Sequence, residues 1–62
     1  MTIYKISTDK REFHPRFHKV LGERVVITGE VHLGKYPIKF IDHPELIEVC
    51  QRVRKDLLIP EK

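Results

Sequence analysis

At 62 residues, the chain has room for one domain and not for a second, so we treat 1–62 as a single small domain. The hydrophobic fraction of 40% and the charged fraction of 34% are typical of a chain that folds, and they argue against intrinsic disorder. A chain this short buries only about 60% of its unfolded surface, which leaves little material for the walls of a deep pocket. We therefore expect a protein without enzymatic activity and without a cofactor.

The positive charge is concentrated in the N-terminal third of the chain. The formal net charge is +3. Residues 1–22 hold five Lys and Arg against two Asp and Glu, whereas residues 23–62 hold seven of each sign. His14 and His18 would add to the N-terminal excess below about pH 6.5. A surface that attracts anions is therefore expected in the first third of the sequence.

The sequence shows no pattern typical of a membrane or secreted protein. Its longest uninterrupted apolar runs are three residues, at 25–27 and 57–59, whereas about 20 are needed to span a bilayer. The opening stretch MTIYKISTDK lacks the apolar core of a signal peptide. The single cysteine, Cys50, agrees, because a secreted domain this small usually carries several disulfides. We expect an intracellular, cytoplasmic protein with no membrane partner.

The first predicted element is a strand in TIYKIS, residues 2–7, where β-branched and aromatic residues dominate. In a strand, Thr2, Tyr4 and Ile6 share one face. A turn-prone cluster of Ser, Thr and Asp at 7–9 ends the element.

The second predicted element is a β-hairpin over residues 24–42. Gly34 followed by Lys35 matches a two-residue type II′ turn, in which glycine supplies the positive φ at the first central position. Pro37 has no amide hydrogen, which places the second strand at an edge of the sheet or turns that position outward. The resulting register pairs Leu33 with Tyr36, Val31 with Ile38, Glu30 with Lys39, Gly29 with Phe40 and Thr28 with Ile41.

The third predicted element is a C-terminal helix over residues 43–60. Pro44 suits the first helical position, Asp42 and Glu45 have the spacing of a capping box, and Pro60 would end the helix. Helical periodicity then gives one apolar stripe for the core, formed by Leu46, Val49, Cys50, Val53 and Leu57.

These elements predict an α+β fold, in which a small antiparallel sheet, made of the N-terminal strand and the 24–42 hairpin, carries the C-terminal helix on one face. The segment between the first strand and the hairpin is ambiguous, because Phe13 and Phe17 suit one face of either a helix or a strand. Pro15 and Gly22 would bound a short helix, so we favour that helix or an irregular segment over a strand.

The stretch REFHPRFHK, residues 11–19, is the best candidate for a binding surface. Cationic side chains bind phosphates and aromatic rings stack on exposed bases, so the composition favours nucleic acid. Phe13, Phe17 or Tyr4 would supply a ring, although at least one phenylalanine is expected in the core of so small a protein. The predicted nucleic-acid contacts are Lys10, Arg11, His14, Arg16, His18 and Lys19.

A protein interface is the alternative hypothesis, and it rests on the other face of the hairpin. Val26, Thr28 and Ile41 point away from the face that the helix would cover. Either the 13–20 segment or another chain must then cover this apolar surface, and a homodimer would enlarge a marginal core. The protein is therefore interpreted as a small binding module for nucleic acid, or alternatively for a protein partner or a second copy of itself.

A metal site and a catalytic site are both poorly supported. Four histidines and one cysteine offer ligands, but they lack the closely paired spacing of a structural zinc site. Cys50 falls in the apolar stripe, which is typical of a buried small hydrophobe and not of a nucleophile. The acids are scattered and the three glycines form no phosphate-binding loop, so we predict no metal and no catalytic residue.

Overall fold

Five antiparallel strands surround one hydrophobic core in the computed structural model, which describes residues 2–61. Each neighbouring pair of strands is antiparallel. The strand order across the sheet is β4-β3-β2-β1-β5. The strands are β1 (Ile3–Ile6), β2 (Arg24–Ile27), β3 (Lys35–Phe40), β4 (Arg52–Arg54) and β5 (Leu58–Glu61).

The sheet is strongly curled, because its two edge strands are consecutive in the chain. Only a 3-10 helix at Lys55–Leu57 joins β4 to β5. A flat sheet would separate the two edges by about 19 Å, at about 4.8 Å for each of the steps between strands. The connection reaches at most about 14 Å when fully extended. The two edges must therefore approach each other, which closes the sheet around its buried side chains.

The core draws at least one side chain from every strand. Phe40, Ile6, Val20 and Val25 are the largest fully buried residues. The buried set is Ile6, Val20, Val25, Ile38, Phe40, Cys50, Val53, Leu57 and Leu58.

None of the helices within residues 2–61 has the length and apolar character needed to span a membrane.

The predicted N-terminal strand is confirmed at Ile3–Ile6. Tyr4 and Ile6 face the core, as the alternation indicates, and Lys5 between them is exposed. The strand lies between β2 and β5 in the sheet. It pairs with the last strand of the chain, a partner that the sequence did not suggest.

The predicted C-terminal helix is wrong, and with it the α+β fold class. Residues 43–60 instead form a short 3-10 helix at Pro44–Glu48, then β4, a second 3-10 helix and β5. Val53 is buried between two exposed arginines, which is the period of a strand, and it pairs with Tyr36 of β3. The predicted capping box does not form, because Asp42 binds Arg24 at 2.8 Å.

The predicted apolar stripe nevertheless faces the core. Cys50, Val53 and Leu57 are buried, while Leu46 and Val49 are half-buried against the cluster. A tight turn followed by a strand and a second turn brings these positions to the same side as a helix would. Burial was therefore predictable from the spacing, and the backbone conformation was not.

The hairpin of β2 and β3 forms, but its predicted register is wrong. Ile38 pairs with Ile27 and not with Val31, and the other predicted pairs shift with it. The difference of four residues is even, so side chains keep their predicted face, and Ile38 and Phe40 are buried. Val31 and Leu33 lie beyond the paired part and are 50% and 87% exposed.

Pro37 explains where the pairing of β2 with β3 ends. The Thr28 N–H donates to the Pro37 carbonyl at 3.0 Å, but proline has no N–H to return. Residues 29–31 then leave the ladder, and pairing resumes only where His32 and Lys35 exchange hydrogen bonds of 2.8 and 3.0 Å. Because β3 also pairs with β4, the expectation of an edge strand is wrong.

The chain reverses at Leu33 and Gly34, one residue earlier than predicted. Both have positive φ, 52° and 78°, which is the type I′ turn and not the type II′ turn expected at Gly34 and Lys35.

The connection from β1 to β2 contains two 3-10 helices, at Lys10–Glu12 and Pro15–Val20. The second is the short helix favoured by the sequence, in a tighter form, and Gly22 beyond it has φ 78°. Val20 is fully buried, and both Phe13 and Phe17 pack half-buried against the core. These contacts hold the basic segment against the rest of the fold.

Candidate functional site

A groove of about 630 Å³ lies between the Pro15–Val20 helix and the paired strands β3 and β4. Three cations from separate segments line it: Arg16 from the 3-10 helix, Lys35 from β3 and Arg52 from β4. We call it the cationic groove. Its other lining residues are Phe17, His32, Leu33, Glu48, Val49, Cys50 and Gln51.

Within the part of the chain that the structure describes, the three cations of the cationic groove have no anionic partner. Among residues 2–61, none of Arg16, Lys35 and Arg52 lies within 4.0 Å of a carboxylate. All three side chains belong to exposed residues, and Glu48 is the single acid in the lining of the groove. The groove therefore carries an excess of positive charge that is open to an anion from solution.

Arg16 is held over an aromatic ring. Its guanidinium carbon lies 4.7 Å from the centroid of the Phe17 ring. The His14 ring makes an edge contact with the same phenylalanine, with the two ring centroids 6.5 Å apart. A cation–π contact at an exposed site contributes about 0.5–1 kcal/mol, enough to restrict the arginine side chain before a ligand arrives.

A second, smaller hollow of about 210 Å³ continues the cationic groove along β4. It shares Phe17, Lys35 and Arg52 with the groove and adds Arg54. Unlike the other cations, Arg54 is neutralised, because it binds Glu12 at 2.9 Å and Asp56 at 3.4 Å. The cations of the two hollows that form no ion pair among the described residues are thus Arg16, Lys35 and Arg52.

The structure separates Arg16 from the other predicted N-terminal cations. Lys10, Arg11 and Lys19 are exposed and line neither hollow. Arg11 folds back onto Asp9 at 3.1 Å, and its hydrogen bonds lower the pKa of the Asp9 carboxyl. The charge of Arg11 is therefore partly balanced by its own neighbour.

The two predicted histidines lie in different environments, because His14 is exposed and His18 is half-buried. His14 Nδ1 accepts a 3.2 Å hydrogen bond from the Arg16 N–H and so caps the Pro15–Val20 helix. His18 Nε2 is buried, and it has no hydrogen-bond partner among the described residues. His14 Nδ1 is thus engaged within its own helix, and both histidines stay predicted nucleic-acid contacts.

The structure assigns Cys50 to packing. It is 7% exposed, and its Sγ–H donates to the Arg52 carbonyl at 3.3 Å. Burial raises the pKa of the thiol, which disfavours the reactive thiolate at neutral pH. Within residues 2–61, no three His, Cys, Asp or Glu side chains are grouped closely enough to hold a metal ion.

A separate concavity of about 840 Å³ lies on the outer face of the sheet, away from the cationic groove. The three predicted interface residues, Val26, Thr28 and Ile41, meet in it. We call it the apolar concavity. The 13–20 segment does not line it. Its remaining lining residues are Ile3, Ile27, Lys39, Phe40 and Pro44.

Sequence reasoning missed Lys35 and Arg52 as members of the cationic groove. The predicted helix leaves Arg52 outside its apolar stripe, and the predicted hairpin places Lys35 in the turn. The alternation of Arg52, Val53 and Arg54 was the available signal, because it indicates a strand whose charged residues share one face. Only the pairing of β3 with β4 brings Lys35 beside these residues.

Comparison of the chain with protein-family models, with curated proteins and with solved structures finds no match. Its function is therefore argued from the two surfaces themselves.

Proposed function

We propose that the protein is a non-enzymatic nucleic-acid-binding module that holds a phosphate backbone in the cationic groove. The observation that carries this proposal is that Arg16, Lys35 and Arg52, which form no ion pair with any described residue, meet in one groove with an aromatic ring. Phosphate contacts supply most of the affinity of non-specific nucleic-acid binders, and arginine and lysine are the residues that make them.

The arrangement of the cations favours a chain of phosphates over one small anion. Lys35 pairs with Arg54, and Pro37 pairs with Arg52, so Lys35 and Arg52 are diagonal neighbours on adjacent strands. Such neighbours lie about 7–8 Å apart, and Arg16 adds a third position from the opposite wall of the groove. Three cations at separate positions suit a ligand that carries several linked negative charges.

The proposal assigns binding and no chemistry. The other contacts predicted from the sequence, Lys10, Arg11, His14, His18 and Lys19, stay predictions. We propose that the cations among them attract the nucleic acid from outside the groove.

The test is the salt dependence of binding, followed by fluorescence anisotropy of labelled mixed-sequence oligonucleotides, single-stranded and duplex. Release of counterions from three phosphate contacts gives a log–log slope of about −2 for single strands and somewhat steeper for duplex. Absence of binding to either form at low salt would refute the proposal.

A second candidate function is self-association through the apolar concavity. The observation in its favour is that Val26 and Ile41 share this surface with Ile3 and Pro44, and that within residues 2–61 no segment covers it. A second copy would bury it symmetrically. Sedimentation at two protein concentrations tests this candidate: association should survive high salt and should be lost on Val26→Asp.

A further inference from the structure

Leu33 combines two unfavourable features at the tip of the hairpin. It is 87% exposed, the most exposed of the large hydrophobic residues. It also has φ 52° in a type I′ turn, a conformation that favours Asn, Asp or Gly over a branched apolar side chain. Neither feature helps the fold, because the side chain is absent from the core cluster. Strain of this kind, when observed, points to a role other than stability.

The position of Leu33 suggests that role. It lines the cationic groove together with His32, which precedes it, and Lys35, which follows the turn. Val31 lies in the same connection and is 50% exposed, but it does not line the groove. The exposed leucine therefore lies next to the proposed phosphate contacts. A phosphate itself has no apolar surface against which a leucine side chain could pack.

We propose that Leu33, with the His32 ring beside it, packs against the bases of a single-stranded nucleic acid whose phosphates lie on Arg16, Lys35 and Arg52. This inference rests on the proposed function. An unpaired base presents an apolar face, and such contacts tolerate any sequence. Insertion into a duplex would instead require base pairs to unstack and the helix to bend. The phosphate contacts of three cations would offset only a small part of that cost.

The test uses Leu33→Asn, with Leu33→Gly as a second variant. Both residues suit positive φ, so each variant should fold with a melting temperature at or above that of the parent. Its affinity for a single-stranded oligonucleotide should nevertheless fall by about fivefold or more. Val31→Asn is the matched control, since it removes an exposed apolar side chain outside the groove, and its affinity should be unchanged.

An abasic oligonucleotide of the same length separates base contacts from phosphate contacts. The parent protein should bind it more weakly than the normal strand, and this difference between the two oligonucleotides should be smaller for Leu33→Asn, which keeps only the His32 ring. Equal affinity of parent and variant for the normal strand would overturn this inference while leaving the proposed function intact. Tighter binding of duplex than of single strand would also overturn it. A parent protein that binds no oligonucleotide at all would instead refute the proposed function itself.

Discussion

The Arg54 guanidinium on β4 donates a 2.9 Å hydrogen bond to Glu12 Oε2, although the two residues are 42 positions apart. This contact ties the connection between β1 and β2 to the edge of the sheet, beside the cationic groove. It also removes one cation from the surface that the proposed ligand would meet. The same pair therefore contributes to the fold and limits the charge of the site.

Replacing Glu12 by Gln should release Arg54 in part, because Asp56 still lies 3.4 Å from its guanidinium, and it should strengthen nucleic-acid binding. Both side chains are about half exposed, at 46% and 47%, so the loss of stability should stay below about 1 kcal/mol. The log–log slope of binding against salt should become steeper by up to about 0.7 for a single strand. Glu30→Gln is the control, because it changes the net charge equally outside both hollows. Equal effects of the two variants would contradict a local role for Arg54.

Replacing Leu57 by Ala should destabilise the protein by about 2–4 kcal/mol, because the side chain is 7% exposed and belongs to the core. A domain of this size has only about 3–9 kcal/mol in total, so much of the protein should unfold. Ile59→Ala, two residues later and 52% exposed, should change stability by less than about 1 kcal/mol. Urea denaturation measures both. Comparable losses for the two variants would contradict the assigned burial.

Replacing Gly34 by Ala should cost about 1 kcal/mol through the backbone alone. Gly34 has φ 78°, and a Cβ there would meet no atom within 4 Å, so steric crowding adds nothing. Gly34→Asn should cost less, because asparagine tolerates the left-handed conformation. Thermal denaturation of the two variants checks the type I′ turn. A neutral Gly34→Ala would contradict a positive φ at Gly34, which both the observed type I′ turn and the predicted type II′ turn require.

The stability that His43 contributes should depend on pH. Its Nδ1 lies 2.8 Å from Glu23 Oε1, and this hydrogen bond raises the pKa of His43 above its usual value of 6.5. A raised pKa stabilises the folded state fully below the unfolded pKa, and the contribution is lost as pH rises through the folded pKa. His43→Gln should therefore lower the melting temperature most between about pH 5 and pH 6.5, and very little at pH 8.5. A difference that grows with rising pH would contradict this pairing.

Much of the burial pattern could be predicted from the sequence, because it depends on spacing alone. The alternation in β1 placed Tyr4 and Ile6 inside, and the even register error left Ile38 and Phe40 on the correct face. The type of each element was harder to predict. In the C-terminal third, spacings of three and four residues fit a helix as well as a turn, a strand and a turn.

The missed features depend on contacts between distant parts of the chain. β4 is only three residues long, and it is stable as a strand because β3 supplies its hydrogen-bonding partner. That pairing places Lys35 and Arg52 together, whereas the predicted helix had separated them. Arg16 could be named as a candidate contact from the sequence, because it belongs to the N-terminal excess of charge, which does not depend on the fold.

The most direct test of the account compares two triple variants of equal charge. Arg16→Ala, Lys35→Ala and Arg52→Ala together remove the cationic groove, and Lys10→Ala, Arg11→Ala and Lys19→Ala together remove three cations outside it. Binding of a single-stranded oligonucleotide is measured for both across a salt series. We predict that the groove variant loses binding and nearly all of the salt dependence, while the outer variant keeps most of its slope of about −2. Loss of binding in the outer variant, with retention in the groove variant, would contradict the account and return the site to the N-terminal run of charge.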